Sequence, residues 1–500
     1  MKRRIAVSTL LTRDPSSSEI YLVERAPQLV FFGGYRAFPG GTLEAEDSAL
    51  KVHDLTDGHL LQDPGMGAFV AAAARELFEE TGLWIARGGL TPSAATLSDY
   101  RRQLMGGDSS FSALLRREQQ HVSAADFEPI CRIMTPPFTP VRYDTWFFKV
   151  KTPADQRIEI WEGELRSGEF AYAADALRQW LSGDYLIVPP VLIMLRMLQH
   201  SNATDFMPAV RKLTDSYARG KLHRVYFNCG VLLAPLATHT RPPATHTNAY
   251  LVGEQKLYLI DPGSSDVQEQ HRLWELIDTL VAEGSRLEAI LLTHYHPDHT
   301  GAVEACRRRY DVSLLAHPLG ASVVGATGTI DEGDRLELGV APDGSPNWGL
   351  EVFHLPGHSR DHLAFREDRY GQILVGDLVS TLSSILIDPA EGDLTTYLHS
   401  LGRLEQLATS QLYPGHGPPA REGARLVARQ IEHRQRREQQ IIDALSNVPR
   451  DLESLLQQVY AGTPPDVMGL ARRSLVAGLQ KLEAEGRIEE ASEGFRLAEF

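Results

Sequence analysis

The chain has 500 residues, 43% of them hydrophobic and 23% charged, a length that allows about three domains with ample core. Its formal net charge of −15 opposes a general affinity for nucleic acid. Three scattered cysteines, Cys131, Cys229 and Cys306, exclude a disulfide framework and suggest a reducing, cytoplasmic setting, and no apolar run reaches membrane-spanning length.

From the N-terminus, Ile5–Thr12 and Ile20–Val23 read as strands around the turn-forming Asp14-Pro15-Ser16-Ser17-Ser18. The first run is too short and too broken by Ser and Thr for a secretion signal. Phe38-Pro39-Gly40-Gly41 follows. Ala71–Ala74 then favour a helix, alanine being the strongest helix former. On that helix Arg75-Glu76-Leu77-Phe78-Glu79-Glu80-Thr81-Gly82-Leu83 sets Glu76, Glu79 and Glu80 three and four positions apart, on one face. Three such carboxylates repel unless a hard cation neutralises them, and an all-oxygen set favours Mg²⁺ or Mn²⁺ over zinc. Gly82 suits a left-handed helix end.

These segments resemble the Nudix hydrolases, which cleave a pyrophosphate linked to another group. The resemblance covers residues 1–200. It implies an α/β/α sandwich in which Glu76, Glu79 and Glu80 hold Mg²⁺ while water attacks phosphorus. Asp47 stands where the family has glutamate, and 27 residues separate it from Arg75, far more than the family's spacing. Long loops add closure entropy only slowly, so Asp47 can still pair with Arg75. Arg25-Ala26, Gly34, Thr135-Pro136-Pro137 and Arg142-Tyr143-Asp144-Thr145-Trp146 resemble the coenzyme A-cleaving branch. That implies a coenzyme A-like or other nucleotide diphosphate substrate, with Arg25, Arg36 and Arg142 supplying positive charge. Val30 departs from the branch, which has arginine there. A nucleotide-sensing module without turnover is the alternative for this head.

His200-Ser201-Asn202-Ala203-Thr204-Asp205 breaks the apolar pattern and marks a linker over 201–222. The loop Thr238–Thr247 leads to Asn248, either beside a functional cleft or as plain surface. In the helix expected between Ser265 and Gly284, Leu273, Leu276, Ile277, Leu280 and Val281 form a core stripe. Ala289–Leu292 reads as a buried strand, and Thr293-His294-Tyr295-His296-Pro297-Asp298-His299 leaves it. Imidazole nitrogens and carboxylate oxygens are ligands zinc accepts. His294 and His296 point the same way from extended backbone; Pro297 turns the chain so that Asp298 and His299 can face a second ion. Downstream, His358, Asp377 and His416 each sit beside glycine, which permits a sharp turn.

This set resembles the metallo-β-lactamase superfamily, over a domain at 223–430 with an αβ/βα sandwich. The resemblance implies one zinc on His294, His296 and His358, a second on Asp298, His299 and His416, and Asp377 bridging them. Asp298 would also serve catalysis, which proceeds by metal-bound hydroxide. Two Zn²⁺ less Asp298, Asp377 and a hydroxide leave a site about one unit positive, suited to a developing oxyanion. Histidine at 296 disfavours diiron chemistry, and Asp377 in place of cysteine disfavours antibiotic hydrolysis. The 57 residues between His358 and His416 leave no room for the extra domain of large RNA-cleaving members. His354 and His362 are expected as packing or supporting residues.

Residues 421–447 read as a helix with six arginines and three glutamates. Two helices and a hairpin follow, so 431–500 is expected as a winged-helix-like domain. Residues 451–500 carry nine acidic and five basic side chains, a poor DNA reader better suited to packing or dimerisation in a homo-oligomer. His433-Arg434, Arg437-Glu438 and Leu482–Ile488 resemble a lactamase-like branch holding an animal mitochondrial endoribonuclease and fungal polyketide thioesterases. Arg434 and Arg437 are expected to contact substrate. The chain thus reads as an α/β multidomain, two-headed metallohydrolase without membrane or DNA partners. Its zinc head would act on a thioester (acyl-CoA or hydroxyacylglutathione-like), with single-stranded RNA as the alternative.

Overall fold

The computed structural model describes residues 2–14, 19–29, 32–60, 63–139, 141–200, 203–407, 411–446 and 448–498. Val30 and most of the first turn, and the expectations attached to them, lie outside the described residues. The chain forms two compact units, Met1–Cys229 and Gly230–Phe500. Among the described residues no helix is long and apolar enough to cross a membrane.

The first unit is built on a mixed sheet. Lys2–Thr12 lies at its centre, parallel to Val141–Lys151 and antiparallel to Glu19–Arg25. Glu128–Met134 forms one edge. The helix Met66–Thr81 carries the three glutamates, and Gly82 ends it at φ 74°. Ala71, Ala72, Ala73 and Ala74 are all fully buried: small side chains allow close approach to the sheet. The expected linker 201–222 instead holds the helix Ala203–Ala218. Phe206, Met207 and Val210 are buried, and Arg211 donates to the carbonyls of Pro129 and Ile130. An edge strand leaves backbone groups unpaired, and this helix covers them.

The second unit has two sheets. One includes, side by side in chain order, Val231–Ala237, His246–Gly253, Lys256–Ile260, Arg286–Leu291, Ser313–Ala316 and Gly328–Thr329. The other runs Arg335–Gly339, Trp348–His354, Leu363–Glu367, Ile373–Gly376, Leu412–Pro414. The helix Val267–Ala282 buries Leu273, Leu276, Ile277 and Leu280, but Val281 is exposed and drops out of the expected stripe.

The helix Gly423–Ala444 serves two cores. Leu426 and Val427 pack with Leu401 and Leu404, whereas Ile441 and Ala444 join Leu455, Leu475, Leu479 and Ile488. The expected boundary at 431 therefore falls inside one continuous helix. Beyond it come helices Leu452–Val459 and Met468–Ala484 and the hairpin Ile488–Ala491 with Gly494–Leu497.

Candidate metal centre

The seven expected zinc ligands converge, each from a turn just after a strand. His294, His296 and His358 present ring nitrogens within 4.8 Å of one another, as do the ligand atoms of Asp298, His299 and His416 and of His294, His299 and Asp377. The turns need glycine: a Cβ on Gly415 would meet Asp377 Oδ1 at 2.6 Å, and Gly376 stands at φ +45°.

Outer partners fix the histidine tautomers. His358 Nδ1 faces the Leu386 carbonyl at 3.0 Å and His416 Nδ1 the His246 carbonyl at 2.9 Å. His299 Nδ1 faces Asp261 Oδ2 at 2.8 Å, and His296 Nε2 faces Glu391 Oε2 at 2.9 Å. Carbonyls and carboxylates only accept, so these nitrogens carry the proton. Thr293 Oγ1 donates to Asp261 at 2.6 Å and so accepts from His294 Nδ1 at 2.9 Å. In the first set, His294, His296 and His358, every remaining ring nitrogen then aims a lone pair inward. His294 Nε2 lies 2.8 Å from His296 Nδ1, which lies 3.0 Å from His358 Nε2. Three lone pairs at such separations repel one another unless a cation sits among them.

The second set passes the same test. His299 Nε2 and Asp377 Oδ1 are buried without a hydrogen-bond partner and stand 3.6 Å apart, too far for a hydrogen bond but suited to an ion between them. The oxygens of Asp377 face opposite ways: Oδ1 toward His299 and His416, Oδ2 toward His358 at 3.6 Å. Burial would raise Asp298 and Asp377, but His416 and His299 reverse this and hold both well below the usual carboxylate range. Burial would lower His416, yet Asp377 and Asp298 push it up to about 10. His358, by contrast, is driven down to about 4, mainly by burial. One side is thus a neutral nitrogen set; the other is a cluster of carboxylates and imidazoles in which dications displace protons. Both fit zinc.

His362 supports the centre by accepting the Asp377 backbone N–H at 3.1 Å. His354 stands apart, stacked on His317 at 4.0 Å. The Thr238–Thr247 loop borders the cleft, with Thr240 Oγ1 3.4 Å from His416 Nε2. Asn248 is buried away from the ions and donates to the carbonyls of Pro414 and Gly417. Asp261, Glu391 and Thr240 contact the expected ligands and were not among the expected site residues. Asp261 carried a signal in its place at the end of an apolar strand, and Thr240 in its place on the loop leading to Asn248.

In the first unit, Arg75 Nε and Nη2 donate to Asp47, each at 3.0 Å, so the pair forms across the long insertion. Arg75 Nη1 also binds Glu76 at 3.0 Å and Glu79 at 2.9 Å. Glu80 accepts from Gly40 N at 2.7 Å, and a Cβ on Gly41 would strike the Glu76 carboxylate at 2.4 Å. The glycine pair therefore lies against the carboxylate face. Burial pushes Glu76 and Glu80 up to about 8 and raises Glu79. Arg25 lies near enough to Glu80 to oppose that rise. Arg36 stacks on Tyr185 and pairs with Glu24 and Glu169, while Arg142 bonds Thr135 O and Met134 Sδ.

The raised carboxyls give a pH dependence. Their folded pKa of about 8 exceeds the ordinary 4.5. Their contribution to stability is therefore present below about 4.5 and lost as pH rises through 8. Mg²⁺ held by the triad would favour its ionised form, so the rise in melting temperature it would produce should grow between about pH 6 and about pH 9. Equal shifts across that range in a thermal-melt series would refute metal binding by these glutamates.

Arg434 and Arg437 are not surface cations facing a cleft. Arg434 is buried, donates to the Ile385 carbonyl and lies 5.4 Å from the Tyr397 ring centre. Arg437 donates to the Val459 carbonyl and stacks on Tyr460. Both link elements of the fold.

Residues 242–416 match the model of the metallo-beta-lactamase superfamily, and 452–496 that of the beta-lactamase associated winged helix domain. The beta-lactamase-like protein 2 homolog of Drosophila melanogaster is 28% identical over 257 residues, 48% of this chain and 84% of that protein. An atrochrysone carboxyl ACP thioesterase of Aspergillus fumigatus is 28% identical over 241 residues, 44% of this chain and 70% of that protein. A Nudix hydrolase structure from Alicyclobacillus acidocaldarius is similar at 27% identity and TM-score 0.37, covering 42% of this chain and 96% of that one, too remote a likeness to carry chemistry. The chain therefore contains a metallo-β-lactamase-fold hydrolase domain with a dinuclear zinc-type site, followed by a winged-helix domain.

Proposed function

We propose that the zinc centre hydrolyses a thioester, of the acyl-CoA or acyl-carrier class. His294, His296 and His358 would hold one zinc, Asp298, His299 and His416 the other, with Asp377 between them. When bound, two zincs acidify water and polarise the electrophile's oxygen. The observation that carries the choice of substrate is the charge state of the cleft. Asp298 and Asp377 are held ionised, and once the ions displace the protons of His299 and His416 every inward ring nitrogen is taken up as a ligand. Among these residues Asp298 can accept a proton from the attacking water, but none is a neutral acid. A thioester expels a thiolate, whose conjugate acid has a pKa of about 8.5, and needs little help from an acid. A ribose alkoxide needs a general acid. The Aspergillus relative named for thioesterase activity supports the same reading, as does the net charge of −15, which repels a polyanion.

The test compares a panel of acyl-CoA thioesters with single-stranded RNA at physiological salt, with Asp377→Ala as the blank. At least one thioester should turn over well above the blank while RNA stays at blank level. Efficient RNA cleavage with no thioester turnover would replace this reading by the endoribonuclease one.

We propose further that the first unit is a Mg²⁺-dependent pyrophosphohydrolase of Nudix type, acting on a coenzyme A-like or other nucleotide diphosphate derivative. Glu76, Glu79 and Glu80 would hold Mg²⁺. The Arg75–Asp47 pair fixes the helix face they share, and Arg25 supplies charge beside Glu80. Support comes from the carboxyls of Glu80 and Glu76, which meet Gly40 and Gly41, and from Glu79, which shares Arg75 with Glu76. Ligand binding without any turnover would favour the sensing module.

A further inference from the structure

One irregular loop, Ile385–Gly392, provides the outer contacts of two ligands of the first zinc set. The Leu386 carbonyl accepts from His358 Nδ1 and the Glu391 carboxylate from His296 Nε2. The loop is internally tight: the Asp388 carbonyl accepts from Glu391 N at 3.0 Å and Gly392 N at 2.7 Å. It is seated closely on the His358 turn, since a Cβ on Gly392 would meet Gly357 O at 2.3 Å. Two C-terminal arginines hold it. Arg434 donates to the Ile385 carbonyl. Arg473, on the winged-helix segment Met468–Ala484, donates to Asp388 Oδ2 at 2.7 Å.

We propose that the winged-helix domain braces the metal centre through this loop, with Arg473 and Arg434 as positioning residues that set the orientation of His296 and His358. The inference rests on the zinc reading above. A histidine ligand is only as well aimed as the acceptor behind it. Here both acceptors share one loop, which Arg473 holds at Asp388 and Arg434 at Ile385. The domain then needs no nucleic-acid partner to account for its place at the end of this fold.

The experiment uses the full chain and measures zinc affinity by chelator competition, with amide hydrogen exchange of residues 385–392 as a second readout. Arg473→Ala and Asp388→Asn should each weaken one of the two zincs by about threefold to fivefold, the scale of one partly exposed ion pair. The double variant should be no weaker than either single one, because one pair is broken in all three. Exchange in the loop should quicken in each. Arg496→Ala breaks a different ion pair, to Glu489 in the hairpin, and should change neither readout. Wild-type affinity and exchange in Arg473→Ala would overturn the brace, as would equal losses in Arg496→Ala. If the wild-type chain binds no zinc, the metal reading itself fails, and the exchange comparison still decides whether Arg473 holds the loop.

Discussion

Asp377→Ala should abolish thioester hydrolysis by the zinc centre, with a loss of about 10³-fold or more, and lower the zinc content below two per chain. No other ligand has oxygens facing both sets. Its removal would delete a ligand from each ion and would also take one carboxylate partner from His299, which keeps Asp261, and from His416, which keeps Asp298. Losing a bridging carboxylate combines the cost of weakened metal affinity with that of misplaced water. Elemental analysis beside steady-state rates checks both parts. Two tightly held zincs and near-normal turnover in the variant would overturn the ligand assignment.

On the proposed Nudix reading, Glu80→Gln should lower pyrophosphatase turnover by about 10²-fold or more, since it would remove one ionised oxygen ligand from Mg²⁺. Thioester hydrolysis should be unchanged. The substitution is nearly isosteric, and its amide oxygen can still accept from Gly40 N, so the fold is retained. Assaying both reactions on one preparation separates the heads. A parallel loss of both activities would show that the variant damages the chain as a whole.

The metal centre was legible in the sequence because the ligands follow apolar strands, His296, Asp298, His358, Asp377 and His416 adjoin glycine or proline, and the set as a whole resembles the metallo-β-lactamase motifs. Their supporting acceptors were not legible. Glu391 lies 95 positions from His296, in a stretch with neither period nor motif. Thr240 lies 176 positions from His416. The helix Ala203–Ala218 looked like a linker because what it covers, the carbonyls at 129 and 130, is distant in the chain. The partners of Arg434 and Arg437 were illegible for a related reason. A run of arginines on a helix resembles a phosphate site until the tertiary structure supplies carbonyls and tyrosine rings as partners. The Asp47–Arg75 pair shows the opposite case. Its spacing was abnormal, yet chemistry and modest loop entropy predicted the contact correctly.

The ligand turns come from both sheets of the second unit: 294–299 follow a strand of one, whereas 358, 377 and 416 follow strands of the other. An ion held by both is a reversible cross-link between two halves of the domain. The folding equilibrium then becomes a gauge of zinc availability. At a free concentration about a hundredfold above its dissociation constant, each ion adds roughly 2.7 kcal/mol to stability, a large share of the margin a domain of this kind has. Zinc starvation would therefore reach this protein first as susceptibility to proteolysis, and abundance would fall along with activity.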